Sequence, residues 1–247
     1  MGGLIAGLYA AGVPLSDLLA FGKRAGLMDL ASPDRMWRGL FGHGKMARML
    51  AGLLGNPDIT FEDLNIPLAL VAADVETGEM ILLDRGPLIP ALMATSALPV
   101  VFAPVRHQGR WLVDGGVVNN LPVDVVRQMG ADRVLGVSTP PSVRLDPERE
   151  PGRRGLSPRG LYLIYNHTRD WKLPFLIAEA SVGIAAQFAN RARLAAYPPD
   201  LLIEICLPNV GVFSNNGNQG IIETGRRAAM EHLMEISLLT DVCWIEK

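Results

Sequence analysis

Between Arg110 and Ser138 the chain runs from a short apolar extended segment into Asp114-Gly115-Gly116 and a helical stretch, Pro122 to Met129. Gly130 closes that helix, and a second apolar run, Asp132 to Ser138 (DRVLGVS), follows. Strand, tight turn, helix and strand in that order form a βαβ-like unit, which restricts the chain more than any other feature does. Such a unit must lay its helix on a sheet, and the glycine supplies the left-handed residue that ends the helix. The expected class is therefore α/β, a single three-layer domain with a mostly parallel sheet between helices.

The remaining punctuation fits that class. Leu4, Leu8 and Ala11 lie at helical spacing before Gly12 and Pro14, so a buried helix starts almost at the first residue. Ser16 reads as the cap of a second helix, Asp17 to Arg24, and Ser32-Pro33-Asp34 as the cap and first turn of a third. Pro67 to Val75 is an apolar run suited to a strand covered on both faces. Thr77-Gly78 turns it into a partner, Glu79 to Leu83, and a helix from Pro87 to Thr95 follows. Val100 to Val105 and Arg110 to Val113 are extended pieces joined at Gln108-Gly109. Residues 138 to 160 are rich in proline and charge and read as a surface excursion. A helix near 176 to 196, a strand at Leu201 to Leu207 and a closing helix, Ile221 to Leu239, complete the chain.

Composition matters chiefly by exclusion. With 247 residues, 49% of them hydrophobic, the chain can bury a proper core. A formal charge of −2 supplies no field that would draw it to phosphate backbones, so nucleic acid is not an expected partner. Leu4 to Leu15 is the longest apolar stretch, too short and too broken by Gly7, Gly12 and Pro14 to span a bilayer. Cys206 and Cys243 have no metal-ligand spacing and are too few for a disulfide scaffold, which fits a reducing, cytoplasmic setting.

An aspartate at the end of an apolar strand, followed by two glycines, sits where the backbone turns tightly and a carboxylate can face a cleft above a sheet. For the tripeptide alone, an Asx-turn that only caps the strand is an equally physical account. The surroundings of Asp114 add three segments. Phe61-Glu62-Asp63-Leu64-Asn65-Ile66-Pro67 leads into Ala72-Ala73-Asp74-Val75-Glu76-Thr77-Gly78. Ala94-Thr95-Ser96-Ala97-Leu98-Pro99-Val100-Val101-Phe102-Ala103-Pro104 comes second. Val113-Asp114-Gly115-Gly116-Val117-Val118-Asn119-Asn120-Leu121-Pro122-Val123, followed by Met129-Gly130-Ala131-Asp132, is the most specific. In this order they resemble the patatin-like phospholipase family, over roughly residues 1 to 138.

The resemblance implies a lipid acyl hydrolase working through a Ser-Asp dyad, with Asp114 as the proton acceptor and Gly115 and Gly116 as the turn that aims it. It implies no metal or organic cofactor. The substrate would be an acyl ester of a lipid or phospholipid, and peripheral membrane contact is compatible with it. In that family the serine belongs to a Gly-x-Ser-x-Gly elbow. Met1-Gly2 aligns with the last two positions of that motif, so Gly2 is the elbow remnant expected to let the helix approach closely. The nucleophile, the Gly-rich oxyanion loop and the first strand are then expected upstream of Met1, within roughly 40 residues. On this expectation the chain as it stands is inactive, and targeting cannot be read from its first residues. An underpacked sheet prone to aggregation would follow as well. The alternative is a catalytically dead lipid-binding or scaffolding relic of the same fold.

Weaker constellations have plainer explanations. His43, His107, His167 and His232 read as surface or satisfied polar positions rather than triad members. Ser96, Ser138 and Ser181 lack an elbow pattern. Gly3 and Gly7 are read as close-packing positions under an elbow, with a membrane-dimer face as the competing account. The Met46, Met49, Leu50, Leu53 and Leu54 stripe reads as core-facing, a lipid-facing lid being the alternative. Arg153, Arg154 and Arg159 read as a solvated loop.

Overall fold

Helix α1 (Gly2–Ala10) is apolar all round and packs flat against α4 (Leu88–Thr95). Leu4, Leu8, Leu88 and Leu92 are fully buried in that contact, each worth about 2 kcal/mol of transfer free energy. The approach is close because α1 presents glycines: a β-carbon on Gly7 would lie 2.5 Å from Leu92 Cδ2. The Gly3/Gly7 pair is thus a packing device inside a protein core. The computed structural model describes residues 2–24, 30, 32–37, 40–139, 172–207 and 218–240.

The second helix, α2 (Leu15–Arg24), begins two residues earlier than its serine implies. The Asp17 and Leu18 amides donate to the Pro14 carbonyl, and Ser16 lies inside the first turn. The third expected helix is replaced by a hairpin, β1 (Ser32–Trp37) against β2 (Leu40–Gly42), with Ser32 opposite Gly42. A cap signal without apolar helical spacing behind it did not hold against antiparallel pairing with a neighbouring apolar segment. Helix α3 (Gly44–Leu54) follows and ends on Gly55 in the left-handed conformation. Met46 and Leu50 are buried, and Met49, Leu53 and Leu54 pack against the same core, so its stripe faces inward.

The largest sheet joins β3 (Leu70–Asp74), β4 (Met80–Leu83), β5 (Val105–His107) and β6 (Arg110–Asp114) in the order β4-β3-β6-β5. Every pairing in it is antiparallel. The α/β class stands, while the expected mostly parallel sheet is reduced, among the described strands, to one pair, β7 (Leu135–Ser138) with β8 (Leu201–Glu204). The connections explain the difference. Thr77-Gly78 and Gln108-Gly109 join neighbouring strands directly, and Gln108 and Gly109 both have positive φ, as the tightest hairpins require. A parallel neighbour needs a crossover of a dozen or more residues, such as the long connection between β7 and β8. All five residues of β3 are buried, as expected for a strand covered on both faces.

Helix α5 (Val123–Gln128) ends before Gly130, whose φ is 93°. Arg127 and the Val134 amide both bind the Asp200 carboxylate, at 2.5 and 2.6 Å, tying α5 to the start of β8. The long α6 (Lys172–Ala196) contacts the turn after β6, and α7 (Asn218–Glu231) and α8 (Leu233–Thr240) divide the closing helix at His232. Residues 140–160 of the expected surface excursion, with Arg153, Arg154 and Arg159, lie outside the described residues, as do Met1, His167 and Cys243. Ile5, Tyr9, Leu135 and Val137 are exposed, leaving apolar surface on α1 and on the parallel pair.

Candidate active site

Asp114 is the last residue of β6 and stands opposite Ala72 of β3. Its amide no longer serves the ladder and donates to the Ala97 carbonyl at 2.9 Å, in the connection after α4. The chain then folds into a single tight turn, Gly115–Val117, where the Gly115 carbonyl accepts from the amides of Val118 and Asn119 at 3.0 and 2.8 Å. Only glycine fits at the first turn position. A β-carbon on Gly115 would lie 2.2 Å from the Val71 carbonyl oxygen, well inside contact distance.

The carboxylate of Asp114 is half-buried, and its two oxygens do different things. Oδ1 accepts from the Gly116 amide at 2.7 Å, the Asx-turn that a capping role requires. Oδ2 has no hydrogen-bond partner among the described residues. Capping and a chemical role are therefore compatible, since one oxygen orients the group while the other remains available. Gly116 is itself confined: a β-carbon there would lie 3.1 Å from Asp114 Oδ1 and 3.1 Å from Asn120 Oδ1.

Beneath the turn runs a buried polar network with no obvious signal in the sequence. Asn119 Nδ2 donates to Asp124 Oδ1 at 2.9 Å, and Arg193 of α6 donates to Asp124 Oδ2 at 3.1 Å. Asn119 and Asp124 are buried, so the aspartate's charge is compensated by a partner 69 residues away. The network links the turn to α5 and α6.

The amino end of α1 reaches the same turn through Thr95. A β-carbon on Gly3 would sit 3.0 Å from both Thr95 Oγ1 and Thr95 Cγ2, and Thr95 Oγ1 donates at 2.7 Å to Val71 O, the oxygen that Gly115 approaches. Gly3, Thr95, Val71 and Gly115 thus form one line of contacts from the start of α1 to the Asp114 turn. Of the residues singled out in the sequence, Asp114, Gly115 and Gly116 are brought together, and α1 begins at Gly2 nearby. Close packing against α4 is made by Gly3 and Gly7, whereas a β-carbon on Gly2 would meet nothing within 4 Å among the described residues.

Other titratable groups stay apart from this point. No histidine hydrogen-bonds to Asp114 among the described residues. His232 Nδ1 lies 2.7 Å from Glu235 Oε2. His43 departs from the expectation of a satisfied or surface position. Its ring stacks on Phe102 at 5.2 Å, its Nε2 is buried without a hydrogen-bond partner among the described residues, and burial lowers its pKa to about 4. Ser96 caps the C-terminus of α4 with a buried, unpartnered hydroxyl. The next turn holds Val100 at φ 71°, a strained conformation for a β-branched residue. Among the described residues there is no group of three His, Cys, Asp or Glu placed to hold a metal, and no helix long and apolar enough to cross a membrane.

Comparison with known proteins bears on this arrangement. The family model described as patatin-like phospholipase matches residues 1–127, which include α1, the three motif segments and the Asp114 turn. An uncharacterized NTE family protein of Mycobacterium bovis is 31% identical over 141 residues, covering 56% of this chain and 38% of that protein. A second uncharacterized NTE family protein, from Mycobacterium tuberculosis, is 32% identical over 127 residues, with 51% and 21% covered. Patatin-like phospholipase domain-containing protein 6 of Mus musculus is 30% identical over 116 residues, 46% of this chain and 8% of the mouse protein. The chain thus spans well under half the length of these relatives. Since the matching region is more than half of the 247 residues, the chain belongs to the patatin-like phospholipase family.

Proposed function

We propose that the chain carries the base half of a serine-type lipid acyl hydrolase, with Asp114 as proton acceptor. The observation that supports this reading is the half-buried Asp114, whose Oδ2 has no hydrogen-bond partner among the described residues, on a turn joined by contacts to the amino end of α1. A serine hydroxyl attacks an ester only when a neighbouring group takes its proton and donors hold the resulting oxyanion. On this reading the serine immediately precedes Met1 in a longer polypeptide, and Asp114 Oδ2 takes its proton as Oγ bonds to the acyl carbon. The proton then passes to the departing alcohol, and water releases the acid from the acyl-serine by the same route. No histidine is required.

The substrate class is an acyl ester of a lipid or phospholipid, met by peripheral contact with a membrane from the cytoplasmic side. The whole of residues 1–247 would form one domain. Gly115 and Gly116 serve by aiming the carboxylate.

The test compares the 247-residue chain with the product of the same reading frame opened upstream, using a short-chain p-nitrophenyl ester. The longer product should hydrolyse it and the shorter should not, and Asp114→Asn in the longer product should lower turnover about 10²- to 10⁴-fold. Undiminished turnover in Asp114→Asn overturns the proposal. A longer frame that is closed, or a longer product that binds lipid without hydrolysis, selects the relic.

A further inference from the structure

The β3–β6 register pairs Ala73 with Val113 and Ala72 with Asp114, and the Val75 amide donates to the Trp111 carbonyl. Hydrogen-bonded pairs in an antiparallel ladder recur every second residue, so after 75 with 111 and 73 with 113 the next would be 71 with 115. That pair is not made, because the chain leaves β6 at Asp114 and the Gly115 carbonyl is given to the amides of Val118 and Asn119. The Val71 carbonyl, in a strand buried along its length, is therefore deprived of its ladder donor. The hydroxyl of Thr95, itself buried, takes that place at 2.7 Å.

We propose that Thr95 is a positioning residue for Asp114, its hydroxyl replacing the lost ladder donor and so fixing the height of the turn that carries the carboxylate. The argument is one of spacing. Val71 O is held between Thr95 Oγ1 on one side and Gly115 on the other, where not even a β-carbon fits. Without the hydroxyl, the desolvated carbonyl has to recruit another donor. The nearest backbone available is the turn itself, whose Gly116 amide holds Asp114 Oδ1. The methyl group of Thr95 touches the place where a Gly3 β-carbon would be, so the same residue sets the distance from α1 to the turn. Its functional meaning rests on the reading of Asp114 as the base.

The experiment uses the 247-residue chain, isotopically labelled, and follows the Gly116 amide by NMR. This amide reports the Asp114 carboxylate directly, because its proton shift depends on the hydrogen bond to Oδ1. Thr95→Ser keeps the hydroxyl and should preserve both the shift and the slow exchange. Thr95→Val keeps the shape and removes the donor. It should move the Gly116 amide shift and speed exchange of that amide about tenfold, with the β5–β6 hairpin amides unchanged. Gly3→Ala presses on Thr95 from the other side and should move the same signal, which guards against a Val variant that fails to fold. A Gly116 signal indifferent to Thr95→Val or to Gly3→Ala, or lost in Thr95→Ser, overturns the inference. These readouts need no catalysis, so hydrolysis that survives Asp114→Asn would remove the base reading and leave the positioning result standing.

Discussion

Gly115 lies directly against the carbonyl of Val71, with room for a hydrogen and for nothing larger. The obstacle is backbone in a buried strand, which cannot swing aside as a side chain can. Gly115→Ala is therefore expected to cost about 3 kcal/mol or more, as overpacking against rigid structure does. Gly116→Ala meets only side-chain oxygens at 3.1 Å and should cost less. Urea midpoints of the two variants give the comparison, and equal losses would contradict it.

Leu92 is fully buried where Gly7 of α1 leaves space for it. Leu92→Ala should cost about 2 to 5 kcal/mol, the range for a buried leucine whose cavity only partly collapses. Gly7→Ala collides with the end of that leucine, a movable group. The double variant Gly7→Ala, Leu92→Val should therefore be more stable than the sum of the single changes implies, by a coupling of about 0.5 to 2 kcal/mol. Additive effects would show that the two residues do not share one space.

His43 is neutral in the folded protein down to about pH 4, against an ordinary value of 6.5. The unfolded chain thus binds the extra proton first. Stability from this group is complete above pH 6.5 and is lost as pH falls toward 4. Allowing for partial solvent screening, the loss is about 2 kcal/mol. Between pH 7 and 4.5 the wild type should lose that much more stability than His43→Leu, measured by urea denaturation at each pH. The leucine variant should also match or exceed the wild type at pH 7, because Nε2 is an unpartnered buried nitrogen.

Val100 and Val101 are neighbours of identical chemistry and opposite circumstance. Val100 has φ 71°, whereas Val101 is buried without that strain. Val100→Gly relieves a conformation that costs about 1 to 3 kcal/mol and should leave stability unchanged or raised by up to about 1 kcal/mol. Val101→Gly should lose about 2 to 3 kcal/mol. Thermal unfolding of the pair separates strain from burial.

The parts of this molecule legible in its sequence are those fixed by neighbours along the chain. The Asp114-Gly115-Gly116 turn, the Gln108-Gly109 hairpin and the close of α5 at Gly130 are local chemistry, and each lies where its residues put it. Strand direction was not legible. The run from Leu70 to Asp74 reads as a fully covered strand, yet burial alone does not distinguish parallel from antiparallel partners. Ser32-Pro33-Asp34 carries a helix-start signal that pairing with Leu40–Gly42 overrides. The partnership of Asp124 with Arg193, and of Thr95 with Val71, depends on chain separations of 69 and 24 residues that no local pattern encodes.

The file of atoms from Gly3 through Thr95 and the Val71 oxygen to Gly115 leaves no slack on the inner side of the Asp114 turn. Redesign around this turn therefore has one permissive direction. Variation beneath the turn registers as unfolding first, so diversity in a library belongs on the exposed side of the turn, at Asn120.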